Sequence, residues 1–277
     1  MTFRSRCALW PGYKFWAYES ACIIASRKHR VIGWTWIGEV IVSLADLFGC
    51  TFVINLKERK DRRQGVTREL NMAGMHFAPG SVELFSAVRV ADAAGFPTPG
   101  VRGCFLSHLG VLLEAQRRKL SSVLVLEDDV AFSPLINQHF STLAASLRQK
   151  WDFVYLGHVE KLSEEPPLAL IPFSGPVVTA HCYAVNGPIL DRLIDYLQKV
   201  QSRPPGHPLG GPMHLDGALT MFRQANPDVV TLIAQPNLGW QRSSRSDLHS
   251  SWFQSAPVFG EVYDVARYIR RVITKRR

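Results

Sequence analysis

The 277-residue sequence has few cysteines: they are odd in number and scattered along the chain. They stand at positions 7, 22, 50, 104 and 182, with no C-x-x-C pair among them. Structural zinc sites and disulfide frameworks both need regularly spaced cysteines, so this distribution argues against either. We therefore expect a reducing compartment, and with it a cytoplasmic location.

The sequence also lacks a clean apolar run long enough to span a bilayer. Lys14 and Glu19 interrupt the segment after the basic start, which argues against a signal peptide. The best candidate, residues 31–48, contains two acidic residues that make a span costly. We expect an amphipathic helix instead, lying either on a bilayer or on the protein. Its polar side would carry four residues: Thr35, Glu39, Ser43 and Asp46.

Positive charge is scarce in the body of the chain, although the net charge is +9. Residues 1–50 carry six Lys/Arg against three Asp/Glu, and residues 241–277 carry eight against three, which leaves +1 for residues 51–240. Nucleic-acid-binding modules concentrate their basic residues on the folded body, so we expect no nucleic-acid partner. Basic ends favour peripheral contact with the anionic inner face of a membrane, or with an acidic substrate.

Apolar residues make up 47% of the sequence, which is ample for a packed core. Strand-like and helix-like segments alternate between residues 51 and 240, which predicts an α/β fold with a largely parallel sheet. We predict an N-terminal extension over residues 1–50, a catalytic domain over 51–250 and a basic amphipathic tail over 251–277. The predicted strands are 51–56, 82–88, 123–126, 152–156, 177–185 and 229–234; the predicted helices begin near 103, 134, 189 and 214.

An acidic triplet, Glu127-Asp128-Asp129, follows the apolar run 123–126 directly. Every position of that run is apolar, as in strands covered on both faces, and open α/β sheets bind ligands at the carboxyl ends of such strands. If the chain stays extended, Glu127 and Asp129 point to one side and Asp128 to the other. Paired carboxylates suit Mg²⁺ or Mn²⁺, and three adjacent acids also call for a neutralising Arg.

Several short motifs occur in a characteristic order around the triplet. Asn55-Leu56-x-x-Arg59-x-Asp61-Arg62 comes first, Gly103-Cys104-x-x-Ser107-His108 second, and the triplet third, followed by His181-x-Tyr183, Asp216 and Ser246-Asp247. In this order they resemble glycosyltransferase family 25, which includes lipooligosaccharide and collagen galactosyltransferases. The resemblance covers residues 51–248. It departs from the family pattern at Val101, because the family has Glu after Thr-x-Gly and this chain has Val.

The resemblance implies a GT-A-like, Rossmann-type nucleotide-sugar-binding domain. It implies a UDP-sugar donor, Mn²⁺ or Mg²⁺, and inversion at the anomeric carbon. The expected reaction moves a hexose, with galactose as the expected sugar, to a lipid-linked or surface saccharide such as lipooligosaccharide. A nucleotidyltransferase and a catalytically weak, membrane-associated sugar-nucleotide-binding protein are the alternatives.

The candidate site residues are predicted to bind the metal, to bind the donor or to act as the base. Glu127 and Asp129, with His249 as a third ligand, are expected to hold the metal. Asp216 is the candidate base for the acceptor hydroxyl, because an inverting transfer needs a carboxylate opposite the leaving group. Structural roles compete with several of these assignments, such as a surface ion pair for Arg62 and plain burial for His108. The residues expected to bind the donor are Arg62, Ser107, His108, Asp128, Ser246 and Asp247.

Overall fold

The structure, a computed structural model, describes residues 43–162 and 167–242 of the chain. Its strands are β1 (Cys50–Asn55), β2 (Val82–Ser86), β3 (Ser122–Glu127), β4 (Val130–Phe132), β5 (Phe153–Tyr155), β6 (Ala169–Pro172), β7 (Cys182–Asn186), β8 (Thr231–Gln235) and β9 (Gly239–Gln241). Its α-helices are α1 (Lys60–Met72), α2 (Pro99–Arg117), α3 (Leu135–Gln138), α4 (Phe140–Ser146), α5 (Leu190–Ser202) and α6 (Leu215–Ala225).

Seven strands form the central sheet in the order β2-β1-β3-β7-β5-β8-β6. β1 is parallel to β2 and β3, and β5 is parallel to β8. β7 is antiparallel to both β3 and β5, so β3 and β5 point the same way, while β6 opposes β8. Five of the seven strands (β1, β2, β3, β5 and β8) therefore share one direction, which confirms the predicted α/β fold with a largely parallel sheet.

Alternation along β3 divides the core into two layers. Val123 and Val125 belong to the cluster that includes residues of α2, α5 and α6, whereas Leu124 and Leu126 belong to the cluster with α1, α3 and α4. Because both faces are covered, these four positions are fully buried. The continuous apolar run in the sequence reflects this sandwich of helices around the sheet.

Several predicted boundaries were wrong. Helix α2 begins at Pro99 rather than near 103, because Thr98 caps it and proline suits the first turn. The helix predicted from Pro134 is divided at His139 into α3 and α4. The strand predicted over 177–185 is limited to β7, and the short strands β4, β6 and β9 were not predicted at all.

The end of the expected amphipathic segment packs on the protein. Leu44–Leu47 form a 3₁₀-helix, with Leu44 and Phe48 buried in the cluster on the α1 side of the sheet. Asp46 accepts hydrogen bonds from the backbone N–H and the hydroxyl of Ser43, at 2.8 and 2.9 Å, and so closes the turn. The rest of that segment and the basic tail 251–277 lie outside the described residues. None of the helices in the described ranges is long and apolar enough to cross a membrane.

The two-sided burial of β3 predicts where stability is concentrated. Leu124→Ala leaves a cavity in a fully buried layer, so we expect the free energy of unfolding to fall by about 2–5 kcal/mol. Leu84→Ala on β2, where leucine is 40% exposed, is the matched control and should cost about 1 kcal/mol or less. Urea denaturation of both variants measures the difference, and equal losses would contradict the assignment of β3 to the core.

Candidate active site

The acidic triplet lies where β3 ends and the chain turns. Glu127 is the last residue of the strand, and Asp128 and Asp129 form a turn before β4. Strand alternation therefore does not extend through the triplet, although the charge of Glu127 still acts on Asp129. Asp128 and Asp129 both face Arg62, whereas Glu127 faces His108 and Gln241.

Asp128 is the best-compensated carboxylate of the three. Its Oδ1 accepts from Arg62 Nη1 at 3.0 Å and its Oδ2 from Asn55 Nδ2 at 2.7 Å. The Arg242 guanidinium donates to its backbone carbonyl at 2.6 Å. Arg242 passes over α1 at Gly65, where any added side chain would collide with the guanidinium. With these partners, Asp128 holds the turn in place.

Asp129 is left with an unsatisfied oxygen. Its Oδ2 lies 3.5 Å from Arg62 Nη1, but its buried Oδ1 has no hydrogen-bond partner within the described part of the chain. Burial, followed by the negative charge of Glu127, raises the pKa of Asp129 to about 7 against the partial opposition of Arg62. A buried carboxylate oxygen without a donor fits a cation ligand, so these residues suit the expected Mg²⁺ or Mn²⁺.

Glu127 has separate partners for its two oxygens. Oε1 lies 3.3 Å from His108 Nε2, and Oε2 accepts from Gln241 Nε2 at 3.1 Å. Burial alone would raise the pKa of Glu127, but the hydrogen bond from His108 and the nearby His181 hold it below its ordinary value. Glu127 therefore ionises more readily than Asp129, whose pKa is raised.

His108 links the triplet to the core. Its Nδ1 lies 3.1 Å from the hydroxyl of Tyr183, and the two rings stack with centroids 5.8 Å apart. Tyr183 is fully buried in β7, next to β3, so it packs inside the protein and cannot stack on a ligand. His108 thus reaches the pocket with one nitrogen and is anchored by the other.

Ser107 has a structural task. Its hydroxyl donates to the carbonyl of Gly103 at 2.6 Å and accepts from the backbone N–H of Val88 at 2.8 Å. A side chain at Gly103 would meet the Val88 carbonyl, so glycine permits this close approach. Ser107 lines the pocket and fastens α2 to the loop after β2, and its contact with the donor stays a prediction.

These residues surround a pocket of about 390 Å³, within the usual range for small-molecule sites. The first half of α2 forms one wall and the loop after β2 another, with the triplet between them. Ile54 and Leu56 supply apolar surface, and Arg89, 64% exposed and paired with Glu58 at 2.7 Å, supplies a cation. The pocket can therefore hold a ligand that is partly apolar and partly anionic.

Asp216 does not line this pocket. It lies in the first turn of α6, where its Oδ1 accepts from the N–H of Gly217 at 2.8 Å. The pKa of Cys104, a pocket residue, is raised by burial first and then by the charges of Glu127 and Asp216. That influence places Asp216 near the α2 wall. Ser246, Asp247 and His249 lie outside the described residues.

Val101, where the family pattern has Glu, is 3% exposed and packs in the core. It is the third residue of α2 after the cap Thr98, whose hydroxyl oxygen accepts the Val101 N–H at 3.1 Å. Thr-x-x-Glu at these positions would be a capping box, in which the glutamate reaches back to the cap residue. The departure therefore concerns the start of a helix and leaves the pocket lining unchanged.

Sequence reasoning missed the contributions of Gln241 and Arg242, and gave Asn55 no role beyond its motif. Gln241 belongs to β9, and Arg242 follows it. The backbone N–H of Arg242 donates to the Asp129 carbonyl at 2.7 Å. Three adjacent acids predicted a neutralising arginine, and Arg62 takes that position. No local pattern predicted that a second arginine, Arg242, would contact the triplet.

An α/β sheet with carboxylates in a pocket at the carboxyl end of a buried strand defines a class of ligand-binding α/β proteins. Comparison with known proteins is more specific. A model of "Glycosyltransferase family 25 (LPS biosynthesis protein)" matches residues 97–173, which include α2 and the triplet. This stretch of the chain is thus similar to glycosyltransferase family 25, the family that the motifs resemble.

Curated proteins named as glycosyltransferase 25 family members or galactosyltransferases show the same likeness. A "Glycosyltransferase 25 family member" of Drosophila melanogaster is 29% identical over 50% of this chain and 26% of its own length. "Procollagen galactosyltransferase 2" of Homo sapiens is 27% identical over 64% and 30%, respectively. "Inactive glycosyltransferase 25 family member 3" of Homo sapiens is 30% identical over 49% and 26%. The chain spans less than a third of the length of these relatives.

The raised pKa of Asp129 predicts a pH-dependent effect in metal-free protein. Protonated Asp129 stabilises the folded state, because burial there disfavours the charged carboxylate. This contribution is complete below the unfolded pKa of 3.8 and is lost as the pH rises through about 7. Asp129→Asn removes that charge. We expect it to raise the free energy of unfolding by on the order of 1–4 kcal/mol at pH 8.5, and by little at pH 4.

Urea denaturation in a chelator at both pH values measures this effect. Asp195→Asn, which removes an exposed carboxylate paired with Lys199 on α5, is the matched control and should not stabilise the protein. Loss of stability at pH 8.5 in Asp129→Asn would show that the carboxylate is satisfied without a cation.

Proposed function

We propose that this chain is a glycosyltransferase that moves a hexose, with galactose as the expected sugar, from a UDP-sugar to a saccharide acceptor. The transfer would invert the configuration at the anomeric carbon. The observation that carries the proposal is the buried Oδ1 of Asp129, which has no hydrogen-bond partner among the described residues and lies in a pocket shared with Glu127 and Asp128. A carboxylate in that state is stabilised by a cation, and a cation beside a pocket of this size suits a diphosphate-containing donor. The family likeness supports the same reaction class.

Asp129 and Glu127 would hold Mn²⁺ or Mg²⁺, and His249 is proposed as a further ligand. When bound, the cation supplies positive charge against the negative charge that develops on departing UDP. Arg62 keeps Asp128 and Asp129 in position, because its guanidinium contacts both. That engagement favours a positioning role for Arg62 over direct phosphate binding.

Arg89 is a better candidate for a direct phosphate contact. It lines the pocket, and its ion pair with Glu58 is exposed on both sides and therefore readily exchanged. Ser246 and Asp247 are proposed to approach the same diphosphate. In the transfer itself, the acceptor oxygen bonds to the anomeric carbon as the bond to UDP breaks. Asp216, half-buried in the first turn of α6, is proposed to accept the hydroxyl proton.

The acceptor is proposed to be a lipid-linked or surface saccharide, reached from the cytoplasmic face of a membrane. The support comes from the sequence, whose basic ends contribute +3 and +5 of the +9 charge. Binding to vesicles containing anionic lipid, weakened by salt, is the expected result for the full chain. Equal binding to neutral vesicles would contradict this part of the proposal.

The activity test is release of UDP from a panel of UDP-sugars with saccharide acceptors, in chelator and after addition of Mn²⁺ or Mg²⁺. We expect metal-dependent release, greatest with UDP-galactose. Asp129→Ala should reduce kcat by at least about 100-fold, because it removes a charge that stabilises the transition state only through the bound cation. Asp195→Ala, with its exposed carboxylate, should leave the rate unchanged.

Other outcomes of this assay are equally informative. Release that persists in Asp129→Ala or in chelator would overturn the metal-dependent mechanism. Pyrophosphate release from a nucleoside triphosphate would identify a nucleotidyltransferase instead. Donor binding without turnover across the acceptor panel would mark a binding protein, an outcome given weight by the human relative whose name describes it as inactive.

Asp216 has its own test. Asp216→Asn keeps the size of the side chain and its acceptor for Gly217 but removes the base, so kcat should fall by about 10²–10⁴-fold. Donor affinity, measured by titration with UDP and metal, should be unchanged because Asp216 is not in the pocket lining. A fall in donor affinity with kcat intact would contradict its role as the base.

A further inference from the structure

A second set of ligand atoms lies beside the carboxylate pair. Cys104 Sγ, a ring nitrogen of His108 and a carboxylate oxygen of Glu127 all lie within 4.8 Å of one another. Cys104 and His108 are four residues apart on α2 and therefore share a face of the helix. Glu127 meets them from the end of β3. A small contraction would bring these three atoms around a single ion.

These three ligand atoms differ chemically from the carboxylates that are proposed to hold the Mg²⁺ or Mn²⁺ of the sugar-transfer reaction. Mg²⁺ and Mn²⁺ prefer oxygen, whereas a thiolate, an imidazole and a carboxylate together suit Zn²⁺. Three protein ligands leave a fourth tetrahedral position open, and here all three residues line the pocket. The chemistry therefore favours zinc with one site open to solvent or to an anionic ligand.

His108 is already oriented as zinc ligands usually are. Its Nδ1 lies 3.1 Å from the Tyr183 hydroxyl, which can accept a hydrogen bond from Nδ1–H. In that tautomer the lone pair of Nε2, which lies 3.3 Å from Glu127, is available to a metal ion. The stacked, fully buried Tyr183 ring fixes the plane of the imidazole. Binding would displace the thiol proton of Cys104 to solvent.

We propose that Cys104, His108 and Glu127 form a Zn²⁺ site in this pocket. Because Glu127 belongs to both ligand sets, zinc at this site would exclude the hard cation from its full set of ligands and inhibit transfer. The inhibition rests on the proposed function, but the binding does not.

The binding test uses Co²⁺ as a spectroscopic substitute for zinc in the full chain. A cobalt–thiolate charge-transfer band should appear and should disappear on addition of Zn²⁺. Cys104→Ser should abolish the band, whereas the double variant Cys7→Ser/Cys22→Ser should retain it. Cys50 and Cys182 are fully buried and should not contribute. Absence of the band, or its persistence in Cys104→Ser, would overturn the proposal.

Two further measurements guard against misfolding of the serine variant. X-ray absorption of the zinc-loaded Cys7→Ser/Cys22→Ser protein should show one sulfur at about 2.3 Å. Glu127→Gln should weaken Zn²⁺ binding by at least about 10-fold; unchanged affinity would contradict the shared ligand. In the UDP-release assay, zinc should inhibit in competition with Mn²⁺. A cobalt band without any transferase activity would refute the proposed function alone, and activity insensitive to zinc would refute the inhibition.

Discussion

Three adjacent carboxylates at the end of β3, of which Asp128 and Asp129 are buried and Glu127 is partly exposed, are the constraint around which this site is organised. Each charge removed from water must be paired or neutralised, because its desolvation costs several kcal/mol in a protein interior. The protein pairs Asp128 with Arg62 and Asn55, and Glu127 with His108 and Gln241. Among the described residues, one oxygen of Asp129 has no hydrogen-bond partner, and the cation proposed for the site would complete the compensation.

The compensating groups depend on the topology of the sheet. β1 and β3 are parallel neighbours, so Asn55 at the end of β1 reaches the same edge as the triplet. β9 pairs with β4 directly after the triplet, which brings Gln241 and Arg242 back over it. α1 follows β1 and supplies Arg62. The site is therefore formed by chain segments that meet only when the sheet is complete, and its geometry should be lost with the tertiary fold.

Sequence reasoning predicted the parts of this arrangement that local pattern controls. The apolar run of β3, the acids that follow it and the helix containing His108 were all visible, because burial on two faces and helical spacing leave periodic traces. The direction of each acidic side chain was not visible, since it depends on the strand ending at Glu127. The partnership of Gln241 with Glu127 could not be inferred either, because β9 has three residues and joins the triplet across more than a hundred positions.

Glu127 belongs to both proposed ligand sets, so it would determine which cation the pocket prefers. Its two oxygens face different partners, Oε1 toward His108 and Oε2 toward Gln241, and one of them lies within 4.8 Å of the Cys104 thiol. Recruited with Asp129, it adds oxygen to a hard ligand set; recruited with Cys104 and His108, it completes a softer one. Because His108 is held rigidly by Tyr183, the softer set needs little rearrangement, whereas the harder set gains from relieving the buried charge of Asp129. The relative strength of these two effects would set the metal selectivity of the site.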